Sequence, residues 1–422
     1  MSFDLSAAAN ILKVRYIGPI REQLNNATIF LKRLERESGY VDVSGKTFTV
    51  PLHTTRNTSA GSGRADGGTL PTAGQQGYEV AIIPNAYQYA RIQVSGPTIR
   101  AARDNAGSFV TAIEGEIRGV TRDMQKAVNR QLLGNGIDAL AYATGAVTTA
   151  SPTTITVDDN QGNAFVHLPS AGSLTLGLLN SGSSYAACST LGLSSVLGAK
   201  NATTYDLAIT GTVDVAGEDG DPFVLFGTTG YQMMGIDGII AATDPVLPAG
   251  GGALTGLHGT ALAVATAPWW KAQVFGNSGS KRDLTLALMQ EPLSAIAINS
   301  DYSEKDVDFM LCNYPIRDKY VSLLVADKRF VNTMTLDGGF KAVDFNGTPL
   351  VPDPQCKRNT IFYPVMETLK LYRTSDFDWM DKDGQTLSRV ANTDAYEAVM
   401  FAYQNLGCTA RNASAKLSDI TD

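Results

Sequence analysis

Hydrophobic and polar positions alternate over residues 46–54 (KTFTVPLHT), where Phe48, Val50 and Leu52 share one face. A period of two marks a half-buried strand. Residues 78–94 (YEVAIIPNAYQYARIQV) read as a second extended arm. Between the arms, residues 55–77 carry Gly61, Gly63, Gly67, Gly68, Gly74 and Gly77 among polar residues, with Leu70 the only large aliphatic. Arms joined by so polar a tip do not bury both faces within their own domain. The pattern predicts a hairpin that projects outward and lies on something else, which points to assembly rather than catalysis.

The period then changes. Ala106, Phe109, Ile113, Ile117, Val120, Met124, Val128 and Leu132 recur every three or four residues, the spacing of a helix face. Asp104 and Asn105 are N-cap types, and Gly134 and Gly136 supply the stop. At ~1.5 Å per residue a helix over 104–133 is about 45 Å long. Its other face mixes Glu114, Glu116, Arg118, Arg122, Asp123, Lys126 and Arg130. Such a face is usually just solvated, but a helix this long also offers it to neighbouring subunits, with Arg118 and Arg122 as contact candidates.

Residues 145–230 differ from both flanks. They are rich in Gly, Ser, Thr and Ala, with β-prone runs at 153–157, 205–210, 212–215 and 223–226 separated by turns such as DDNQGN and AGEDGDP. This predicts a small β-rich insertion whose middle, 169–200, fits neither period clearly. From 277 the pattern is α/β. Residues 284–298 suit a helix interrupted near Pro292, 306–313 a buried strand and 316–330 an amphipathic helix. KAVDFNGTPLVPD and NTIFYPV look like paired strands, and the tail reads as two long strands around a DKDG turn. In the first 45 residues, Ile20, Leu24, Ala27, Leu31 and Leu34 repeat at helical spacing after Pro19. A helix packed on its own core and an arm reaching over a neighbour fit that repeat equally well.

Charge and composition narrow the classes. The chain of 422 residues has room for two or three domains, and a net charge of −7 argues against a dedicated nucleic-acid binder. The charge is polarised. In 145–230, Asp158, Asp159, Asp206, Asp214, Glu218, Asp219 and Asp221 face Lys200 alone, a net of −6, whereas 13–36 is basic. Four cysteines without CxxC spacing suggest neither a zinc site nor a disulfide framework. The N-terminus lacks a signal layout and no run approaches ~18 apolar residues, so a reducing cytoplasm and no membrane are expected.

Candidate chemistry is sparse. His53, His167 and His258 are each isolated in sequence, and no nucleophile elbow, phosphate loop or zinc-helix motif occurs. A lone histidine is more often structural than catalytic. Cys312 follows the apolar FML and reads as a buried, inert thiol. Asp376, Asp378, Asp381 and Asp383 faintly resemble a calcium loop, and Glu218, Asp219 and Asp221 crowd one turn, but turn-forming Asp explains both better. Trp269-Trp270 could stack a ligand, although paired aromatics in an apolar stretch are more often core or interface. No enzyme activity, cofactor or metal is expected.

The order of these parts resembles the major capsid protein of tailed bacteriophages, the Hong Kong 97-type fold. The likeness lies in QVSGPTIRAARDNAGSFVTAIEGEIRG…NRQLLGNG (93–136), in YQMMGIDGII (231–240), in APWWKAQVF (267–275) and in the run from DFMLCNYP to NLGCT (308–409). The resemblance implies an α+β chain divided as follows. Residues 1–45 form an N-terminal arm, 46–95 an extended loop overlapping an adjacent subunit, and 96–144 the spine helix of a peripheral domain. Residues 145–230 are an extra insertion, 231–276 a return to the peripheral domain, 277–362 an axial domain, and 363–422 the peripheral long strands and C-terminus. It implies self-assembly into hexamers and pentamers of an icosahedral shell around a phage dsDNA genome packaged without sequence specificity. A portal protein and a separate scaffolding protein are implied as partners, since no long charged N-terminal extension is present, and there is room for a decoration or cement protein. The location implied is the virion, after assembly in the host cytoplasm. Arg56 and Arg64, the only Arg or Lys residues of 55–77, are candidates to meet carboxylates of a neighbour. Lysine-to-asparagine cross-links, which some relatives use, are not expected, because no lysine lies between Lys46 and Lys126. An encapsulin-type shell protein is the alternative, followed by a phage tail protein.

Overall fold

The computed structural model describes residues 29–37, 42–44, 47–61, 63–97, 106–148, 154–158, 174–180, 188–199, 204–213, 216–228, 230–245, 256–326, 333–335, 341–381 and 388–421. The N-terminal repeat before Ile29, the N-cap candidates Asp104 and Asn105, His167 and most of the DKDG turn lie outside these residues. The described architecture mixes helices with three open sheets and one closed barrel.

The long helix runs from Ala106 to Leu133, as its period predicts. Ile117, Met124, Val128 and Leu132 are buried, while Arg118, Arg122 and Asp123 are exposed. Arg130 donates two hydrogen bonds to Asp138, at 2.6 and 2.9 Å, and so ties the helix end to the turn that follows it. The buried face of the helix packs on a five-stranded sheet, forming one core with Ile92, Leu371, Ala402 and Leu406. In that sheet Leu369–Trp379 pairs antiparallel with Ala395–Cys408, which pairs on its other side with Ala86–Ser95. Glu35–Glu37 adds a parallel edge strand beside Leu369–Trp379. Just before it, the short helix Ile29–Arg33 buries Phe30 and Leu31 in the same core, with the Phe30 ring edge-on to Phe309 at 6.5 Å.

The second core lies between a seven-stranded sheet and two helices, Leu286–Asn299 and Tyr314–Ala326. The sheet takes in Gln273–Phe275 and the C-terminal Ala415–Leu417 alongside strands from 310–363. Two sequence expectations are corrected here. The helix runs through Pro292 without interruption: Thr285 caps its start by accepting from the Leu288 N–H at 3.2 Å, and Met289, Pro292, Leu293 and Ile296 are all buried. Burying such side chains is worth about 1.5–3 kcal/mol each, which outweighs the ~3 kcal/mol cost of an interior proline. Ile361–Tyr363 does not pair with Thr348–Pro352, because Met310–Cys312 lies between them. The strand Lys341–Phe345 does pair with Thr348–Pro352, through Asn346 (φ 52°) and Gly347 (φ 86°), the turn that Asn-Gly favours between strands.

The β-rich segment closes into a six-stranded barrel of Ala141–Ala143, Thr154–Asp158, Leu174–Leu179, Cys188–Ala199, Thr204–Thr210 and Pro222–Leu225. Alternate residues such as Ile155, Val157, Leu191, Leu193, Leu207 and Ile209 fill its interior. The ambiguous stretch 169–200 supplies two of its strands. The first and last strands are adjacent antiparallel partners, Tyr142 opposite Pro222 and Ala141 opposite Phe223, so the chain enters and leaves the barrel at one place.

Candidate functional site: the projecting hairpin and its seat

The strands Thr47–Thr55 and Gly77–Pro84 form the predicted antiparallel hairpin, with Asp42–Ser44 as a third strand. Its arms span about 30 Å at the usual rise. The second arm is not continuous to residue 94. It ends at Pro84, and from Ala86 the chain enters the five-stranded sheet instead. Pro84 has no N–H to extend the ladder, and the Asn405 side chain donates to its carbonyl at 2.6 Å, fixing the break.

The half of the hairpin nearest the body buries one face on its own chain. Leu52 and Ala81 pack on Leu262, Ala267 and Trp270, and Phe48 and Ile83 pack on Tyr372. The Phe48 and Tyr372 rings lie 5.8 Å apart. The Ile82 N–H donates to the His258 carbonyl at 2.9 Å. Gly407 in the long strand leaves the space that Ile83 and the Tyr372 ring occupy, where a Cβ would collide. The pair of tryptophans thus divides: Trp270 is the buried floor of this seat, and Trp269 is 45% exposed.

The face of the hairpin turned away from the seat is open. Tyr78 and Val80, which alternate with the buried Ala81 and Ile83, are exposed there, and Leu70 at the tip is 83% exposed. The tip is laced by its own polar groups. Asn57 donates to the Gly74 carbonyl at 2.9 Å and accepts from the Ser59 N–H at 2.9 Å, and the His53 and Gln76 side chains meet at 2.5 Å. Arg56 and Arg64 are exposed on this tip, whereas Arg118 and Arg122 are exposed on the long helix, so the four candidates sit on two separate elements.

Buried polar groups lock the body behind the seat. The Gln88 amide donates to Gln131 at 2.7 Å and accepts from Gln404 at 3.3 Å, joining the strand after the hairpin, the long helix and the long strand. Asn405 also accepts from the Met234 N–H at 2.8 Å. Arg411, 0% exposed, donates to the carbonyls of Ile239, Ala241 and Thr243 and pairs with Asp244 at 3.1 Å. Asp237 is gripped by Lys357 at 2.9 Å and Lys416 at 2.8 Å. Burial alone would raise its pKa, but the two ammonium groups outweigh this and hold the carboxyl well below its ordinary range.

Among the described residues, the sequence candidates for chemistry do not gather into one site. His258 is buried and accepts from the Cys408 N–H at 3.0 Å, while His53 is exposed beside Tyr78. Cys312 is buried with its thiol pKa pushed up by burial, which suits an inert group. Asp376 pairs with Arg373 at 2.8 Å, and Asp378 sits in the same long strand rather than in a cation loop. Among the described residues no group of three or more His, Cys, Asp or Glu is placed to hold a metal ion, and no helix is long and apolar enough to cross a membrane. The seat itself escaped sequence reasoning. The signal present was the buried-type Trp pair and an isolated histidine, but nothing local paired them with the hairpin.

No family profile and no curated protein matches this chain. Among solved structures, it is similar to the chain in the cyanophage A-1(L) capsid asymmetric unit, with a TM-score of 0.56 and 14% identity over 94% of this chain and 93% of that one. The likeness runs nearly end to end and shows a shared fold. A capsid chain of the native GTA particle aligns over 94% of this chain and 91% of its own at a TM-score of 0.45 and 9% identity. The holo-SrpI encapsulin complex of Synechococcus elongatus aligns over 35% of this chain and 53% of its own, at a TM-score of 0.27 and 14% identity.

Proposed function

We propose that this protein is the major capsid subunit of a tailed bacteriophage, a structural protein that builds a shell from copies of itself. The observation that carries the reading is the fold shared along almost the whole chain with a cyanophage capsid chain. The hairpin supports it independently. Its base is seated on its own body, yet Leu70 at its tip and Tyr78 and Val80 on its outer face are exposed. Apolar groups carried on a projecting arm gain burial only against a second molecule.

In this reading the hairpin overlaps an adjacent subunit, with Arg56 and Arg64 meeting carboxylates there and Arg118 and Arg122 lying on a further contact face. The long helix and five-stranded sheet form the peripheral domain, the seven-stranded sheet forms most of the axial domain at the centres of hexamers and pentamers, and the barrel is an outward insertion. Its sequence net charge of −6 over 145–230 disfavours a place against packaged DNA phosphates. A separate scaffolding protein, a portal and a cement protein are the partners, and the mature particle encloses dsDNA. Without a lysine in the tip, the lattice is held by non-covalent burial. Sedimentation velocity of the full chain co-expressed with its phage's scaffold tests the reading: fast-sedimenting particles are expected, and a population that stays monomeric would refute it. Boiled particles should run as one band at 44.8 kDa, since no cross-link survives to be seen.

A further inference from the structure

The seat of the hairpin turns on one side chain. His258 is 1% exposed, its carbonyl accepts from the Ile82 N–H at 2.9 Å, and its Nε2 accepts from the Cys408 N–H at 3.0 Å. Its ring stands edge-on to Trp270, with centroids 6.4 Å apart, and Trp270 is the floor beneath Leu52 and Ala81. One residue therefore joins the hairpin, the end of the long strand and the aromatic floor between them. Because Nε2 is the acceptor, the ring proton of the neutral imidazole is assigned to Nδ1.

Its burial and the charge beside it favour that neutral form, against a smaller opposing pull from the Leu257 backbone. Burial, and then the charge of Arg411, lower the imidazole from its ordinary 6.5 to about 3. Arg411 is itself paired with Asp244, and the long strand contributes the buried Cys408 thiol, pushed up to about 12 by burial. Tyr78 and Glu79 on the hairpin and Lys271 after the tryptophans are exposed.

We infer that neutral His258 is the positioning residue of the hairpin, holding it in its projecting orientation within the single chain and releasing it when protonated. This deepens the reading of the hairpin as an assembly arm, but the clamp is a property of one chain, so it is tested without any shell. Protonated Nε2 would present an N–H to the Cys408 N–H and bury a cation beside Arg411. The closed seat is thus fully favoured above pH 6.5 and loses its advantage as the pH falls toward 3. An open seat that binds the proton with the ordinary pKa becomes about 100-fold more populated between pH 7.5 and pH 4.5.

Amide hydrogen exchange on the purified full-length chain, corrected for intrinsic rates at the two pH values, reads this directly. Peptides containing Ile82 and Cys408 should lose about 100-fold in protection from pH 7.5 to pH 4.5, while the centre of the long helix changes far less. His258→Gln keeps a neutral acceptor at similar reach, so it should stay protected at pH 7.5 and lose most of the pH dependence. His258→Phe keeps the main-chain carbonyl that takes the Ile82 N–H but has no side-chain acceptor for the Cys408 N–H, so the Cys408 peptide should be unprotected at both values. The same pH dependence in wild type and His258→Gln would overturn the inference, as would full protection of the Cys408 peptide in His258→Phe. Should His258→Phe fail to fold, the comparison of wild type with His258→Gln decides the matter alone.

Discussion

The Ile82 amide, on the projecting hairpin, donates to the carbonyl of His258 at 2.9 Å. That bond links a strand that precedes the long helix to a loop more than a hundred residues after it. It anchors an arm whose outer part leaves Leu70 and Tyr78 exposed. The hairpin therefore has a fixed base and a free end, the two properties an overlapping contact needs: a defined direction of approach and apolar surface left to bury.

Trp270 is the largest fully buried side chain of the protein and the floor of that base. Trp270→Ala should leave a cavity under Leu52 and Ala81 and cost about 3–5 kcal/mol. Denaturant unfolding of the single chain measures this, alongside limited proteolysis of the hairpin, which should quicken. An unchanged midpoint with an equally resistant hairpin would mean that the seat does not support the arm.

Asp237 sets a limit at the acid end. Its carboxylate is held well below the ordinary value of 3.8 despite burial, because Lys357 and Lys416 both contact it. The stability it contributes is complete above about pH 4 and is lost as the pH falls below that. Asp237→Asn leaves two ammonium groups without their counter-charge and should cost about 3–5 kcal/mol at pH 7, with a shallower decline in acid. Thermal unfolding followed from pH 7 to pH 3 checks both the loss and the altered slope. A variant as stable as wild type at neutral pH would contradict the account.

Much of this was legible in sequence because it is periodic and local. The long helix follows from Ile117, Met124, Val128 and Leu132, the hairpin from Phe48, Val50 and Leu52, and the turn at Asn346-Gly347 from its residue types. Non-local closure was not legible. Nothing near 174–179 announces a barrel strand, because its partners are supplied by 188–199 and 222–225. Pro292 was misread for a related reason: the core that carries the helix past it is assembled from distant strands. The seat combines both limits. Leu52 is periodic and readable, but the residues beneath it, Leu262 and Trp270, come from more than two hundred positions away.

The barrel should be dispensable for folding. Its first and last strands are neighbours, with the Leu140 N–H donating to the Phe223 carbonyl at 2.7 Å, and its interior is a separate core. Replacing residues 141–225 with a short Gly-Ser linker should leave the remaining chain soluble, with a cooperative unfolding transition measured by circular dichroism. Loss of all cooperative unfolding would show that the barrel is integral to the body.

The tip should be dispensable for folding and required for assembly. Deleting residues 57–76 removes the Asn57–Gly74 and His53–Gln76 contacts but leaves Leu52 and Ala81 on Trp270. The deleted chain should unfold at the wild-type temperature and yield no stable shells by sedimentation. Arg56→Glu with Arg64→Glu should give the milder effect expected of exposed ion pairs, about 1–2 kcal/mol per subunit contact and weaker at high salt. Normal particles from the deletion would remove the tip from the lattice contacts.

The most direct measurement is cryo-electron microscopy of particles formed by the full-length chain, expressed with the proposed scaffolding protein, at a resolution that traces single subunits. The account predicts rings or closed shells in which residues 56–76 of each copy lie on the body of an adjacent copy, with the barrel on the outer surface. It would be contradicted by preparations that contain only well-folded monomers, or by particles in which the tip folds back onto its own chain.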